Sequence, residues 1–89
     1  MKTLSQTAQF SRDVKRMHKR GKNLFRLQAV VRKLAQGEPL DRKLRDHPLR
    51  GEWSDSRDCH LEPDWILIYT TDATSLRLER TGTHSDLFE

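Results

Sequence analysis

The sequence predicts a two-layer α+β domain, in which an N-terminal hairpin of two basic helices packs on one face of an antiparallel β-sheet of three to four strands. Two observations lead to this fold class. Apolar residues recur at helical three–four spacing in residues 7–36, whereas residues 52–81 alternate or form short β-branched and aromatic runs. Eighty-nine residues, 34% of them hydrophobic, suffice for one domain spanning residues 1–89.

The N-terminal part is expected to contain an edge strand and two helices. Residues 2–6 fit a short edge strand. A first helix begins near Thr7 or Ser11 and ends at Gly21, and a second begins at Asn23 and ends at Gly37. The apolar faces that predict these helices consist of Phe10, Val14 and Met17 in the first, and Leu24, Leu27, Val31 and Leu34 in the second.

Three strands are expected to follow. The first covers residues 52–62, the second is the central strand Trp65–Tyr69, and the third is Ser75–Thr81. Short turns between them predict an antiparallel meander. Trp53, Trp65 and Tyr69 are expected to pack in the core or against the sheet.

The net charge of +4 conceals a division between the two halves of the chain. Residues 1–45 carry 13 Lys/Arg and 3 Asp/Glu, a net +10, whereas residues 46–89 carry 4 and 10, a net −6. A basic half suits phosphate backbones or an acidic protein, and a solvated helix surface is the alternative. No apolar run approaches the roughly 18 residues of a membrane span, and a single cysteine cannot form an internal disulfide. A soluble, intracellular protein is therefore expected.

Three of the four histidines lie within residues 46–88, and imidazoles move protons near neutral pH. Asp58 and His60 are two apart on a predicted strand, so they share a face, where a carboxylate can fix the tautomer of an imidazole. Asp64 follows that strand, and His47 and His84 are expected in loops at the sheet edge. This pattern predicts an acid/base site.

Arg80 and Phe88 are further candidates for the same site. Arg80 is the best-placed cation for a phosphate, with an ion pair to Glu79 or Asp64 as the alternative. Phe88 can stack on a nucleobase or pack against the sheet. His18 is expected on the surface.

Metal and thiol chemistry are not expected. Alternation turns Cys59 away from Asp58 and His60, which favours a core role over a nucleophilic one. One cysteine and no H-E-x-x-H pattern provide no recognisable zinc framework. No metal and no cofactor are predicted.

Three segments resemble the YafQ branch of the RelE toxin superfamily in order and spacing: Asp46-His47-Pro48-Leu49-x-Gly51-x-Trp53, Arg57-Asp58-x-His60-Leu61-Glu62-Pro63-Asp64-Trp65-Ile66-Leu67-Ile68-Tyr69, and Arg80-Thr81-Gly82-Thr83-His84-Ser85-Asp86-Leu87-Phe88. Residues 1–45 agree only in layout. The resemblance implies a RelE-like fold. It also implies a cytoplasmic bacterial toxin of a type II toxin–antitoxin system, which enters the ribosomal A site and cuts messenger RNA without a metal.

The resemblance carries over to individual residues. It implies functional roles for His47, Asp58, His60, Asp64, His84 and Phe88, and Arg80 matches an arginine used near the phosphate. On this hypothesis His60, set by Asp58, and His84 divide the base and acid roles. His47 and Arg80 stabilise the phosphorus centre, Phe88 holds a base, and Asp64 orients a histidine.

The resemblance also implies partners. They are a cognate antitoxin, messenger RNA in the A site and ribosomal RNA, with operator DNA contacted only through the antitoxin complex and no membrane. The expected ribosomal RNA contacts are Lys15, Arg16, Lys19, Arg20, Lys22, Arg26, Arg32 and Lys33. Two alternatives are a gyrase-inhibiting toxin of the ParE type and a non-catalytic module that binds nucleic acid or an antitoxin.

Overall fold

A five-stranded mixed sheet with two helices on one face forms the fold, and the computed structural model describes residues 1–88. The elements are β1 (Thr3–Gln6), α1 (Ala8–Lys19), α2 (Leu24–Ala35), β2 (His47–Pro48), β3 (Arg57–Glu62), β4 (Trp65–Thr71), β5 (Ser75–Gly82) and α3 (His84–Phe88). The strand order is β1-β5-β4-β3-β2. The predicted two-layer α+β class, the meander of β3, β4 and β5, and the central position of β4 are confirmed.

Both long helices begin at the predicted caps. The Thr7 hydroxyl and the Asn23 side-chain oxygen each accept a backbone N–H bond from the first turn, at 2.9 and 3.0 Å. Gly21 and Gly37 follow the helices with φ of 85° and 74°, a conformation that glycine adopts without strain. No helix within residues 1–88 is long and apolar enough to cross a membrane.

The two helices cover one face of the sheet. The buried stripe of α2 follows Leu27, Val30 and Leu34, so the predicted Val31 lies at its margin and is only partly buried. The main core joins these residues and the α1 side chains Phe10 and Met17 to strand residues that include Trp65, Leu67 and Tyr69. Burial of both aromatic residues agrees with the sequence-based expectation.

The structure corrects three strand predictions. The strand expected over residues 52–62 covers only Arg57–Glu62, because Gly51–Trp53 forms a 3₁₀ turn that starts from a left-handed glycine. The expected edge strand forms as β1, but it pairs in parallel with β5, so the sheet is mixed rather than antiparallel. The two-residue strand β2 was expected as a loop and makes a fifth strand.

The other face of the sheet carries a second, smaller cluster. Alternation along β4 turns Ile66 and Ile68 away from the two long helices, and Leu87 of α3 packs on them. Leu49 and Trp53 border this cluster. The face that the long helices leave uncovered is where the predicted catalytic residues lie.

Candidate active site

Strand register brings three predicted groups onto this uncovered face. Asp58 and His60 of β3 lie directly opposite Ile68 and Ile66 of β4. His47 of β2 pairs with Asp58 from the other side. Because directly opposed residues of antiparallel strands point to the same face, all three side chains lie on the side of the second cluster.

Arg80 belongs to the same row of residues. It lies opposite Ile68, so His47, Asp58, Ile68 and Arg80 follow one another across β2, β3, β4 and β5. Arg80 is two strands from Asp58, a backbone separation of about 10 Å at ordinary strand spacing. A guanidinium on that row can therefore reach a substrate that lies on this face of the sheet.

Four aromatic rings follow one another across the site. The ring centroids are 6.3 Å apart for His47 and His60, 5.7 Å for His60 and His84, and 6.1 Å for His84 and Phe88. His60 is the partly buried central ring, and the other three residues are exposed. The structure thus brings together the three histidines and the terminal aromatic residue that were predicted for the site.

Asp64 holds His84 at the start of α3. Asp64 Oδ1 accepts the His84 backbone N–H at 2.9 Å and lies 2.7 Å from His84 Nδ1. These bonds, the backbone one first, hold the pKa of Asp64 below its ordinary value. With Nδ1 facing the carboxylate, Nε2 of His84 remains available to substrate. His84 begins a helix rather than lying in the expected loop.

Gly82 allows α3 to fold back onto the sheet. A Cβ atom at this position would lie 2.9 Å from both Cβ and Oδ2 of Asp86. Asp86 is held in turn by the Arg20 guanidinium at 2.7 Å and by the Thr83 N–H at 2.9 Å. These contacts fix the helix that carries His84 and Phe88.

Asp58 faces His47, whereas the sequence-based hypothesis assigned it to His60. Its Oδ1 lies 2.7 Å from His47 Nε2, because β2 places His47 directly opposite. That approach lacks hydrogen-bond geometry, so within residues 1–88 Oδ1 is a buried oxygen without a hydrogen-bond partner. Burial raises the pKa of Asp58, and attraction to His47 and His60 offsets part of this rise.

The hydrogen bonding of His47 indicates which of its nitrogens carries a hydrogen. His47 Nδ1 lies 3.0 Å from the Pro48 carbonyl oxygen, which can only accept, so Nδ1 is the donor. His47 Nε2 is the nitrogen that faces the Asp58 carboxylate.

Arg80 is anchored by Asp13, a residue that sequence reasoning missed. Asp13 is fully buried and accepts Arg80 Nε at 2.9 Å and Arg80 Nη2 at 3.0 Å. Neither expected partner, Glu79 or Asp64, pairs with Arg80 within residues 1–88. The signal was present in the sequence, because Phe10, Asp13 and Met17 share the apolar face of α1.

Further donors complete the Asp13 site. Arg16 Nη2 and the Thr81 N–H also bond this carboxylate, at 2.7 and 3.2 Å. Burial alone would raise the pKa of Asp13, but the hydrogen bonds from Arg80, Gln9 and Thr81 outweigh it and hold the pKa below its ordinary value. Asp13 therefore remains ionised and keeps the Arg80 guanidinium in a fixed orientation.

The predicted basic surface divides into two sets. Four cations pair with carboxylates: Arg16 with Asp13, Arg20 with Asp86, and Lys22 and Arg26 with Glu62. The other four, which we call the unpaired basic set, have no carboxylate within 4.0 Å in residues 1–88 and are exposed: Lys15, Lys19, Arg32 and Lys33. The pairs of Arg20, Lys22 and Arg26 connect the helical hairpin to α3 and β3, whereas the Arg16 pair lies within α1. The unpaired set is the part of the predicted surface that is free to meet a phosphate.

The site offers a place for a metal that sequence spacing did not reveal. Ligand atoms of His47, Asp58 and His60 all lie within 4.8 Å of one another, and two imidazoles with one carboxylate suit a transition metal.

Cys59 is fully buried, which raises the pKa of its thiol to about 12 and leaves it protonated. Its core position agrees with the expected role as a packing residue.

The fold and the site together define a small α+β domain that presents three imidazoles, two carboxylates and an anchored arginine on one face of its sheet, a set suited to acid/base cleavage of a phosphodiester. A family model described as "Bacterial toxin of type II toxin-antitoxin system, YafQ" matches residues 2–89. The chain belongs to the YafQ family.

Known relatives and solved structures are similar to this chain over nearly its whole length. The mRNA interferase toxin YafQ of Escherichia coli strain K12 is 47% identical over 83 residues, covering 92% of this chain and 90% of the relative. The toxin in the crystal structure of the E. coli DinJ-YafQ toxin–antitoxin complex is 44% identical with a TM-score of 0.93, covering 99% and 98%. A metal-bound toxin from Helicobacter pylori is 42% identical with a TM-score of 0.92, covering 99% and 100%.

Proposed function

We propose that this chain is an mRNA endoribonuclease, the toxin of a type II toxin–antitoxin system, and that it cuts messenger RNA in the ribosomal A site of the bacterial cytoplasm. Membership of the YafQ family and 47% identity to an mRNA interferase support the activity. Similarity to the toxin of the DinJ-YafQ complex supports a cognate antitoxin as partner, through which operator DNA would be contacted. The observation that carries the proposal is the convergence of His47, His60 and His84 on one face of the sheet.

Cleavage requires one proton to be removed and another to be supplied. A base takes the proton from the ribose 2′-OH, and that oxygen attacks the adjacent phosphorus. An acid then protonates the departing 5′-oxygen, leaving a 2′,3′-cyclic phosphate. His60 and His84 suit these two roles, because their rings lie 5.7 Å apart and Asp64 holds the His84 ring through its Nδ1.

The other groups stabilise charge and position the chain. Arg80, fixed by Asp13, and His47, which lies 2.7 Å from Asp58, face the negative charge that develops on the phosphorane. Phe88 is 44% exposed and adjoins His84, so it can stack on a base of the codon. Cleavage of this kind needs no metal, and a metal held by His47, Asp58 and His60 would occupy the nitrogens that the reaction uses.

The test is a primer-extension map of a defined messenger in a purified translation system. We expect wild-type protein and the control His18→Ala, on the exposed side of α1, to cut only when ribosomes are present. His60→Ala and His84→Ala should each reduce cleavage about 100-fold or more, the usual contribution of a general acid or base.

Cuts that survive both histidine changes would contradict the proposed catalytic set. A chain that binds RNA but never shortens it would be a non-catalytic module. Toxicity unchanged in both variants, without cleavage, would favour a protein target such as gyrase.

A further inference from the structure

We propose that a pocket beside His60 binds the backbone phosphate of the messenger nucleotide that adjoins the scissile phosphate; this inference rests on the proposed function. The pocket has a volume of about 540 Å³ and lies between the first turn of α2, the 3₁₀ turn Arg42–Leu44 and the end of β3. Its polar lining consists of Arg26, Lys43, Arg45, His60 and Glu62. A volume in this range suits a ligand of nucleotide size.

His60 connects this pocket to the reacting groups. The same imidazole that lines the pocket lies 5.7 Å from the His84 ring and 6.3 Å from the His47 ring. An RNA strand whose scissile phosphate lies among the three histidines therefore has its next nucleotide at the pocket. Neither Lys43 nor Arg45 has a role in the cleavage chemistry, so the pocket is a separate contact.

The charges in the pocket favour an anion. Arg26 Nη1 donates to the Leu61 carbonyl at 3.3 Å, which holds that guanidinium against the pocket wall. The one carboxylate, Glu62, accepts Lys22 Nζ at 2.7 Å and lies 3.9 Å from Arg26 Nη1, so two cations compensate its charge. Lys43 and Arg45 are exposed and have no carboxylate within 4.0 Å in residues 1–88, so both cations are available for a phosphate.

The backbone at Arg45 gives an independent indication. Arg45 has φ 51° and ψ 45°, the left-handed conformation, and is the only residue other than glycine within residues 1–88 with positive φ. This conformation costs an L-residue roughly 1–2 kcal/mol, and asparagine or glycine would adopt it more readily. Non-glycine residues in sparsely populated backbone conformations cluster at active sites and ligand-binding segments, which agrees with a functional contact for Arg45.

Messenger RNA and ribosomal RNA both supply phosphates, and the structure favours the messenger because His60 forms part of the pocket. The probe is a fluorescein-labelled RNA hexanucleotide with 2′-O-methyl riboses, which keeps every phosphate but blocks the attacking hydroxyl. Its binding to the purified, full-length protein is followed by fluorescence anisotropy at several salt concentrations. Co-sedimentation with ribosomes measures the second source separately.

The pocket variant is Lys43→Gln/Arg45→Asn, in which asparagine keeps the left-handed backbone accessible while the charge is removed. The control is Arg42→Gln, which removes one charge from the same 3₁₀ turn but outside the pocket lining. We expect the pocket variant to bind the hexanucleotide about 10-fold more weakly, and its plot of log K against log salt to be shallower by about 1. The affinity of Arg42→Gln should be within twofold of wild type.

Three outcomes overturn the inference. They are equal affinity of the pocket variant and Arg42→Gln, no binding of the hexanucleotide by wild type, and loss of ribosome co-sedimentation with hexanucleotide binding intact, which would assign the contact to ribosomal RNA. Messenger cleavage by wild-type protein in the translation system separates failure of the pocket from failure of the proposed function. If wild type cuts while the pocket variant binds as the control does, only the pocket inference fails.

Discussion

At the scale of single residues, Asp58 is a carboxylate of the candidate site whose placement disfavours its own charge. Its carboxylate is 3% exposed, and its inner oxygen accepts no hydrogen bond within residues 1–88. Burial raises the pKa of Asp58, so folding favours the protonated form more than the unfolded chain does. The ionised form is therefore destabilising at neutral pH, and this destabilisation disappears as the pH falls through the folded-state pKa.

Asp58→Asn, which resembles the protonated carboxyl, should raise the free energy of unfolding at neutral pH by about 1 kcal/mol while abolishing most of the cleavage. Urea unfolding followed by circular dichroism at neutral and acidic pH measures the effect. The gain should shrink towards acidic pH. A variant less stable than wild type at neutral pH would contradict this account of Asp58.

Asp64→Asn is the matched control for that experiment. The pKa of Asp64 is lowered, chiefly by hydrogen bonds from His84, so its charge stabilises the fold above the unfolded-state pKa and ceases to do so in acid. The substitution should therefore lower stability at neutral pH, which is the opposite sign. The loss of stability should be small, because the side chains of Asp64 and His84 are both exposed to solvent.

At the scale of elements, the Asp13–Arg80 pair fastens α1 to β5 and orients the arginine of the site. Asp13→Asn leaves the Arg80 guanidinium, whose side chain is 23% exposed, without its anion. The free energy of unfolding should fall by about 2–4 kcal/mol, because breaking a buried pair leaves one charge uncompensated. Urea unfolding of the variant and of wild type measures this difference.

A second variant separates positioning from stability. Arg80→Lys keeps a cation that can pair with Asp13 but loses the two parallel N–H bonds to it. We expect this variant to stay folded and to cut messenger at least 10-fold more slowly, with little change in ribosome binding. Cleavage at the wild-type rate would show that the orientation of Arg80 does not matter.

The same scale includes the packing of α3 on β5. Gly82→Ala would place a methyl group 2.9 Å from Asp86 side-chain atoms, so α3 must move outward together with His84 and Phe88. We expect this variant to lose cleavage while its sheet stays folded. In NMR spectra the His84 ring signal should change because α3 has moved, and the β4 amide signals should persist because the sheet is intact. Gly37→Ala is the contrast, because its Cβ would meet nothing within 4 Å and only backbone strain at φ 74° remains, away from the site. Unchanged His84 signals in Gly82→Ala would refute this view of the glycine.

Local sequence pattern predicts most of these elements but not the contacts between distant ones. The helices and the meander follow from apolar periodicity and cap residues, and Asp58 and His60 share a face because strand residues alternate. The pairing of Asp13 with Arg80 spans 67 positions in sequence, and β2 exists only because β3 lies beside it. No local pattern encodes such pairs, which explains why Asp58 was assigned to His60 rather than to His47.

At the scale of the whole molecule, ion pairing distinguishes the cations that are available for the proposed contact with RNA. Arg16, Arg20, Lys22 and Arg26 already face carboxylates, but only Arg20 has one to itself, because Asp13 also holds Arg80 and Glu62 is shared by Lys22 and Arg26. The unpaired basic set lies on α1 and α2, the helices that cover the opposite face of the sheet from the site. The surface proposed for ribosomal contact and the site proposed for messenger cleavage therefore lie on opposite sides of the sheet.

This assignment predicts how ribosome binding responds to salt. If the four unpaired cations each neutralise one ribosomal RNA phosphate, log K should fall with log salt at a slope of about −3.6, which is roughly a 100-fold loss between about 50 and about 200 mM monovalent salt. Lys15→Gln/Lys19→Gln should lower the steepness by about 1.8, whereas Arg20→Gln should leave it nearly unchanged because Asp86 already compensates that charge. Co-sedimentation at constant magnesium measures these slopes. If the double variant has the same salt slope as wild type, Lys15 and Lys19 of the unpaired basic set are not part of the ribosomal contact. If the salt slope becomes shallower in Arg20→Gln instead, the ion pair between Arg20 and Asp86 opens when the ribosome binds.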